Sequence, residues 1–249
     1  LLQSYQSQLK GKKVVLATAH RKEVAIADLL STHLGVQVLV PAQFNSDQFG
    51  TFSGEVPRGG SPIDAARKKI ASALDLTGCN IGVASEGSFG PHPQVPFLPT
   101  NEEWLVWFDR ETGLEVMHRE LSFSTNHAHV DATSRAKAHD FLQQVGFPEH
   151  GIMIRLAAGP WIKGICSQAS VDLLIEQELR TAGVVHIETD MRAMFNPTRM
   201  AVIRQAALGL VKKLKGGCPR CSWPAMEAIH NKRGLPSHSA ANLHFLLRC

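Results

Sequence analysis

Residues 13–40 read KVVLATAHRKEVAIADLLSTHLGVQVLV, and this stretch decides the fold. Residues 14–18 form a short apolar run bounded by a basic cluster, the pattern of a buried strand. From Lys22 to Leu34, apolar residues recur at helical spacing (Val24, Ile26, Ala27, Leu29, Leu30), so a helix follows. Residues 36–40 are rich in valine and predict a second strand, parallel to the first through a right-handed crossover.

Working outward, residues 45–60 are rich in Gly, Ser, Asn and Asp and read as a long loop, a feature usually tied to function or disorder. Residues 63–76 predict a helix with Ser61 as N-cap and Pro62 in its first turn. Residues 80–85 predict a strand that ends in the loop Glu86-Gly87-Ser88-Phe89-Gly90-Pro91-His92-Pro93. A hairpin follows over 104–109 and 114–121. Helices are expected over 134–145, 167–182 (closed by Gly183) and 197–214, with strands over 151–156 and 184–188. Strands alternating with helices give an α/β fold with a mixed, mainly parallel sheet flanked by helices. Gly216-Gly217 reads as a hinge, dividing an α/β domain over 1–215 from a tail over 216–249 with a small cysteine knuckle.

Composition narrows the class. At 44% hydrophobic and 19% charged residues, 249 residues suffice for a sizeable core, which excludes a collagenous, coiled-coil or disordered chain. No apolar run reaches the roughly 18–20 residues of a membrane span, and the polar N-terminus lacks the apolar segment of a signal peptide. The missing initial methionine reads as a truncation. Five cysteines, an odd number, do not form a disulfide framework, so a cytoplasmic setting is expected. The net charge of +4 divides unevenly: residues from Arg199 onward carry +8 and those before it −4. A basic tail suits either a solvated helix or a polyanionic partner such as nucleic acid.

Five clusters carry possible chemistry. Thr18, His20 and Lys22 stand where a strand passes into a helix, a place suited to cradle an anion or simply to cap the helix. The loop over 47–59 carries Glu55 and Arg58 and suits a substrate-gripping lid, or is pinned to the core by its phenylalanines. On the next helix, Asp64 and Lys68 share a face, whereas Asp64 and Lys69 lie roughly 140° apart and cannot point into one pocket. Glu86 directly follows a buried strand, beside Ser88 and with His92 beyond. Ligands of open α/β sheets bind outside the carboxyl ends of strands, so a carboxylate there is placed to hold Mg²⁺ against phosphate oxygens. Asp190, Arg192 and Arg199 form the last cluster, either an internal brace or a grip on anionic substrate.

Cys218-Pro219-Arg220-Cys221 is half of a zinc site. His230, His238, His244 and Cys249 lie downstream, but without a second knuckle a complete Zn²⁺ tetrahedron is not expected.

In order, Thr18 with Lys22, Asp64 with Lys69, and Glu86 resemble the outline of the nucleotide pyrophosphatases that hydrolyse inosine and xanthosine triphosphates. His20 stands where that superfamily prefers asparagine, and its paired acidic residues are reduced to one. Over nearly its whole length the chain is similar to a bacterial family of unknown function, through A-T-A-H-R-K-E, G-T-F-S-G-E, A-S-E-G-S-F-G-P-H-P, T-D-M-R-A, N-P-T-R-M and C-P-R-C. The resemblance implies a terminal zinc-ribbon-like pair of knuckles, of which the second is missing here, Ser237 standing where a cysteine is expected. The resulting expectation is a Mg²⁺-dependent hydrolase of a small, nucleotide-like phosphorylated substrate. In it Glu86 holds metal, Glu55 or Asp190 is a second carboxylate, and Thr18, His20, Lys22, Arg58, Lys69, Ser88, His92, Arg192 and Arg199 bind substrate. The alternative is a non-catalytic module that binds nucleic acid through its tail.

Overall fold

The computed structural model describes residues 4–18, 20–42, 44, 61–92, 94–218 and 222–224, and the backbone of 228–230 and 236–238. The chain divides into two compact units. The first comprises Leu1–Ser88, Glu102–Glu120 and Ile203–Cys249; the second comprises Phe89–Asn101 and Leu121–Val202. Among the described residues no helix is long and apolar enough to cross a membrane.

The first unit opens with a short helix, α1 (Tyr5–Leu9), that the polar N-terminus did not announce. Strand β1 (Lys13–Ala17), helix α2 (Glu23–Leu34) and strand β2 (Gln37–Leu39) then follow as the apolar pattern predicts. β2 and β1 pair in parallel, Val14 opposite Val38. Helix α3 (Pro62–Thr77) has the expected N-cap: Ser61 Oγ accepts the Asp64 N–H, and the Asp64 carboxylate accepts the Ser61 N–H. Strand β3 (Ile81–His92) lies parallel to β1 on its other side, Leu16 opposite Val83.

β3 differs from expectation at its far end. The predicted loop over 86–93 is strand through His92, because β4 (Val95–Asp109) returns beside it and satisfies its backbone. Gly, Ser and Pro disfavour a strand alone but not a strand with a ladder partner. β5 (Leu114–Ser122) completes the sheet in the order β2-β1-β3-β4-β5. Connections as short as those between β3, β4 and β5 join only antiparallel neighbours. The sheet is therefore mixed, as expected, but its parallel part is confined to β2-β1-β3. Helix α3 packs Ala66, Ile70, Ala73 and Leu74 against Val15, Ala17, Ala84 and Val106 of one sheet face.

The second unit holds a four-stranded antiparallel sheet in the order β6 (His129–Ala132), β9 (Val185–Thr189), β7 (Ile152–Arg155), β8 (Trp161–Ile165). β6 is too short and too polar to stand out in the sequence, and Lys163 and Gly164 interrupt the apolar run of β8. Helices α4 (Arg135–Gln144) and α5 (Gln168–Ala182) supply Ala138, Phe141, Leu142, Val171 and Ile175 to a core with Ile152, Ile154, Val185 and Ile187. Ser134 caps α4, and Gly183 closes α5 in the left-handed conformation at φ 72°. Helix α6 (Pro197–Lys215) starts at its expected proline. After it, Cys218 and Trp223 close a tight turn: the Cys218 N–H donates to the Trp223 carbonyl and the Ser222 N–H to the Cys218 carbonyl, both at 2.8 Å. Two short paired strands, β10 (Ala228–His230) and β11 (Pro236–His238), follow.

Candidate functional site

In the first unit the carboxyl end of β1 lies beside the first half of β3, Ala17 opposite Ala84, and Ser85 and Glu86 follow just past that end. Thr18 directly follows β1, is buried, and donates its N–H to the Leu16 carbonyl. The chain then turns through two consecutive left-handed residues, His20 at φ 62° and Arg21 at φ 58°. Non-glycine residues rarely take this conformation, and a pair of them stores strain of the kind found around functional sites. Lys22 follows at the start of α2, whose first turn carries no side-chain cap. Its side chain is buried, and Nζ donates to the Ser85 carbonyl at 3.0 Å and to Ser85 Oγ at 3.4 Å. An ammonium and an uncapped helix start thus sit together, both favourable to an anion.

Glu86 lies next on β3. Its carboxylate forms an ion pair with Lys69 Nζ, the two side chains only 6% and 10% exposed. Lys69 reaches inward from the middle of α3, while Asp64 stays at the exposed N-terminus in the capping box and Arg67 donates to Glu115 on β5. The expectation that Asp64 and Lys69 face different ways is what the helix shows. Ser61 holds the Asp64 carboxyl below the usual carboxylate range by side-chain and backbone hydrogen bonds. Ser88 Oγ is 3.4 Å from a carboxylate oxygen of Glu102.

The sequence reading missed Glu103 and Ser85. Glu103 on β4 is fully buried, and its carboxylate lies against Gly87, where a Cβ would stand 2.3 Å from Oε1. Glycine at 87 is therefore a seat for that carboxylate. The signal was present in the Glu86-Gly87 pair, but only the return of β4 shows what the glycine admits.

In the second unit Asp190 is fully buried and engaged by several donors. Its Oδ2 accepts from Arg192 Nη2 at 2.6 Å and the Gly164 N–H at 3.0 Å, and Oδ1 accepts from the Arg192 N–H and Nε, both at 3.0 Å. Arg192 also lies over the Phe195 ring, 4.6 Å from its centroid. Arg199 is fully buried, donates through Nη1 to the Met191 carbonyl, and lies 5.1 Å from the Phe89 ring centroid. Its N–H is capped by Asn196 Oδ1 at 2.9 Å. His92 stands 5.6 Å from Phe123, ring to ring, and accepts the Gln94 N–H at Nδ1. Glu55, Arg58 and Cys221 lie outside the described residues. Cys218 is buried, and the described residues hold no cluster of three or more His, Cys, Asp or Glu fit for a metal.

The fold and site define an α/β protein with buried lysine and glutamate side chains gathered on β3 just past the carboxyl end of the parallel strand β1. The chain belongs to the family described as Domain of unknown function (DUF6671), whose pattern matches residues 69–244. Among solved structures it is similar to protein VC0702 from Vibrio cholerae, at 12% identity and a TM-score of 0.36, over 82% of this chain and 95% of that one. It is also similar to competence damage-inducible protein A from Klebsiella pneumoniae subsp. pneumoniae MGH 78578, at 18% identity and a TM-score of 0.28, over 46% of this chain and 73% of that one. A competence or damage-inducible protein from Enterobacter asburiae matches at 18% and 0.28, over 47% and 77%. No curated protein matches the chain.

Proposed function

We propose that the chain is a Mg²⁺-dependent hydrolase of a nucleotide-like phosphorylated substrate, with its centre just past the carboxyl end of β1, beside Ser85 and Glu86 of β3. The observation that carries this reading is the buried pair of Glu86 and Lys69, with a second buried lysine, Lys22, held on the neighbouring Ser85. Buried ion pairs contribute little net stability, so two buried ammonium groups gathered at one strand end ask for a role beyond folding. Lys22 and the uncapped start of α2 favour phosphate oxygens, and the left-handed turn at His20 and Arg21 sets their approach. The Glu86 carboxylate suits Mg²⁺, a hard cation that takes oxygen ligands and few protein ones. Bound there, the ion would neutralise phosphate charge and acidify a water molecule. Lys69 then divides its charge between Glu86 and substrate. A cytoplasmic location is supported by Cys79 and Cys166, which are free thiols among the described residues.

A panel of nucleoside triphosphates with Mg²⁺, read by phosphate and pyrophosphate release, tests the reading. Turnover of at least one, retained by a chain ending at Gly216, is the expected result. No turnover, together with salt-dependent nucleic-acid binding that disappears with the tail, would replace it by the binding-module reading.

A further inference from the structure

The two faces of β3 can be told apart by what meets them. A Cβ on Gly82 would touch Ile70 and Leu74 of α3, Ala84 packs in the same core, and Glu86 pairs with Lys69. Even-numbered residues of β3 thus face α3. Ser85 and Gly87 share the other face, since alternate strand residues point the same way. On that face Lys22 Nζ is held by Ser85, and the Glu103 carboxylate is seated on Gly87, one position along. Lys22 is 5% exposed and Glu103 is 0% exposed. A buried carboxylate is costly unless a cation accompanies it, and Lys22 is a buried cation of the first unit held on this face.

We infer that Glu103 is a positioning residue of the anion site: seated on Gly87, its carboxylate keeps the Lys22 ammonium beside Ser85, just past the end of β1 and ready for a phosphate oxygen at the start of α2. The inference rests on the proposed hydrolase reading for the identity of the anion, but not for the placement of Lys22. It also separates the roles of the two buried glutamates. Glu86, on the α3 face, belongs to metal and Lys69; Glu103, on the opposite face, belongs to Lys22.

The sign of one measurement decides between this role and simple charge. Removing a negative charge beside an anion site should, by Coulomb's law alone, strengthen anion binding. Removing the group that places the ammonium should weaken it. Full-length wild type, Glu103→Gln, Glu103→Asp and Gly87→Ala are titrated calorimetrically with inorganic pyrophosphate. Glu103→Gln and Gly87→Ala are expected to bind about tenfold more weakly, the scale of one charge-assisted hydrogen bond, with Glu103→Asp between them and wild type. Gly87→Ala keeps the charge and displaces the carboxylate, so a matching loss there separates position from charge. Binding by Glu103→Gln as tight as wild type, or tighter, would overturn the inference. Reductive methylation of the ligand-free chains supplies a second readout: Lys22 is protected in wild type and modified in Glu103→Gln. Equal protection in both overturns the positioning role whether or not pyrophosphate binds. A wild type that protects Lys22 through Glu103 yet binds no pyrophosphate overturns the hydrolase reading alone.

Discussion

Two buried carboxylates stand in contrast, one in each unit. Asp190 accepts from both nitrogens of a guanidinium fork and from two backbone N–H groups, all supplied within its own loop and the neighbouring β8. Glu86 is joined across elements to a single ammonium, a point charge with no preferred plane. A carboxylate gripped in a fixed fork holds a loop in shape. One paired with a lysine can exchange that partner for a cation or release it to a phosphate. Burial alone therefore says little about role; the number and rigidity of the donors says more.

The largest expected effect tests the gripped member. Asp190→Asn sets an amide nitrogen against the donors of Arg192 and Gly164, and should cost about 3–5 kcal/mol in urea unfolding. A loss below about 1 kcal/mol would mean that Asp190 is not a latch, and would return it to the list of candidate catalytic groups. Glu86→Gln should show the opposite profile. Its amide oxygen still accepts from Lys69, so unfolding changes less than for Asp190→Asn, while turnover with Mg²⁺ falls on the order of 10²-fold or more. Equal turnover in the folded variant would remove Glu86 from the site.

A smaller effect belongs to the exposed end of α3. Ser61→Ala removes the cap of the Asp64 N–H and should cost about 1 kcal/mol, leaving turnover unchanged. A drop in turnover would tie the capping box to the buried Lys69 on the same helix.

The smallest expected effect is a pH dependence in the second unit. His186 Nδ1 lies 2.5 Å from Asp131 Oδ1, and Nε2 lies 2.9 Å from Glu188 Oε1. Carboxylates only accept, so both ring nitrogens donate and the ring is an imidazolium. Burial lowers its affinity for the proton, but hydrogen bonds to Glu188 and Asp131 outweigh this and raise its pKa above 6.5. Its contribution is complete below pH 6.5 and is lost as pH rises through the raised value. The Asp131 carboxyl is held below 3.8 by His186, so its contribution is present above that and is lost as pH falls through the lowered value. His129 stacks on His186, and Trp161 meets it edge-on with Arg155 behind. The melting temperature should therefore decline above pH 6.5 in wild type and less so in His186→Gln. Parallel profiles would show that the clamp is idle.

Much of the fold was legible because its cues are local. Ser61 and Gly183 mark helix ends by hydrogen bonds made within one turn, Pro62 marks a first turn by its fixed φ, and residues 14–18 are apolar enough to be a strand anywhere. The course of β3 beyond Glu86 was not legible, since glycine, serine and proline hide a strand whose partner lies elsewhere in the sequence. Glu103 was hidden for the same reason: within Asn101-Glu102-Glu103-Trp104 nothing separates the glutamate that faces Arg119 and Trp104 from the one that is sealed against Gly87. An Asp190–Arg192 brace was one of two readings the sequence left open, and the Gly164 N–H that completes the grip is far away in sequence.

Tyr5 is the chain's only tyrosine, and two of its four tryptophans surround it. Its hydroxyl donates to Asp109 at 2.9 Å and accepts from Trp107 Nε1 at 3.0 Å, while its ring lies 5.4 Å from that of Trp223. The last of these belongs to the turn that Cys218 opens, so the helix at one end of the first unit touches the turn at the other. Light absorbed by Tyr5 passes to these indoles, and the folded protein emits as a tryptophan protein with its phenol dark. Trp223→Phe removes one acceptor and leaves the other. Tyr5 stays dark through Trp107, so the emission lost on that change is the share of Trp223, and a red shift of that share on displacement of the turn by metal or partner is an optical gauge of whether the tail is seated, written into the molecule without a label.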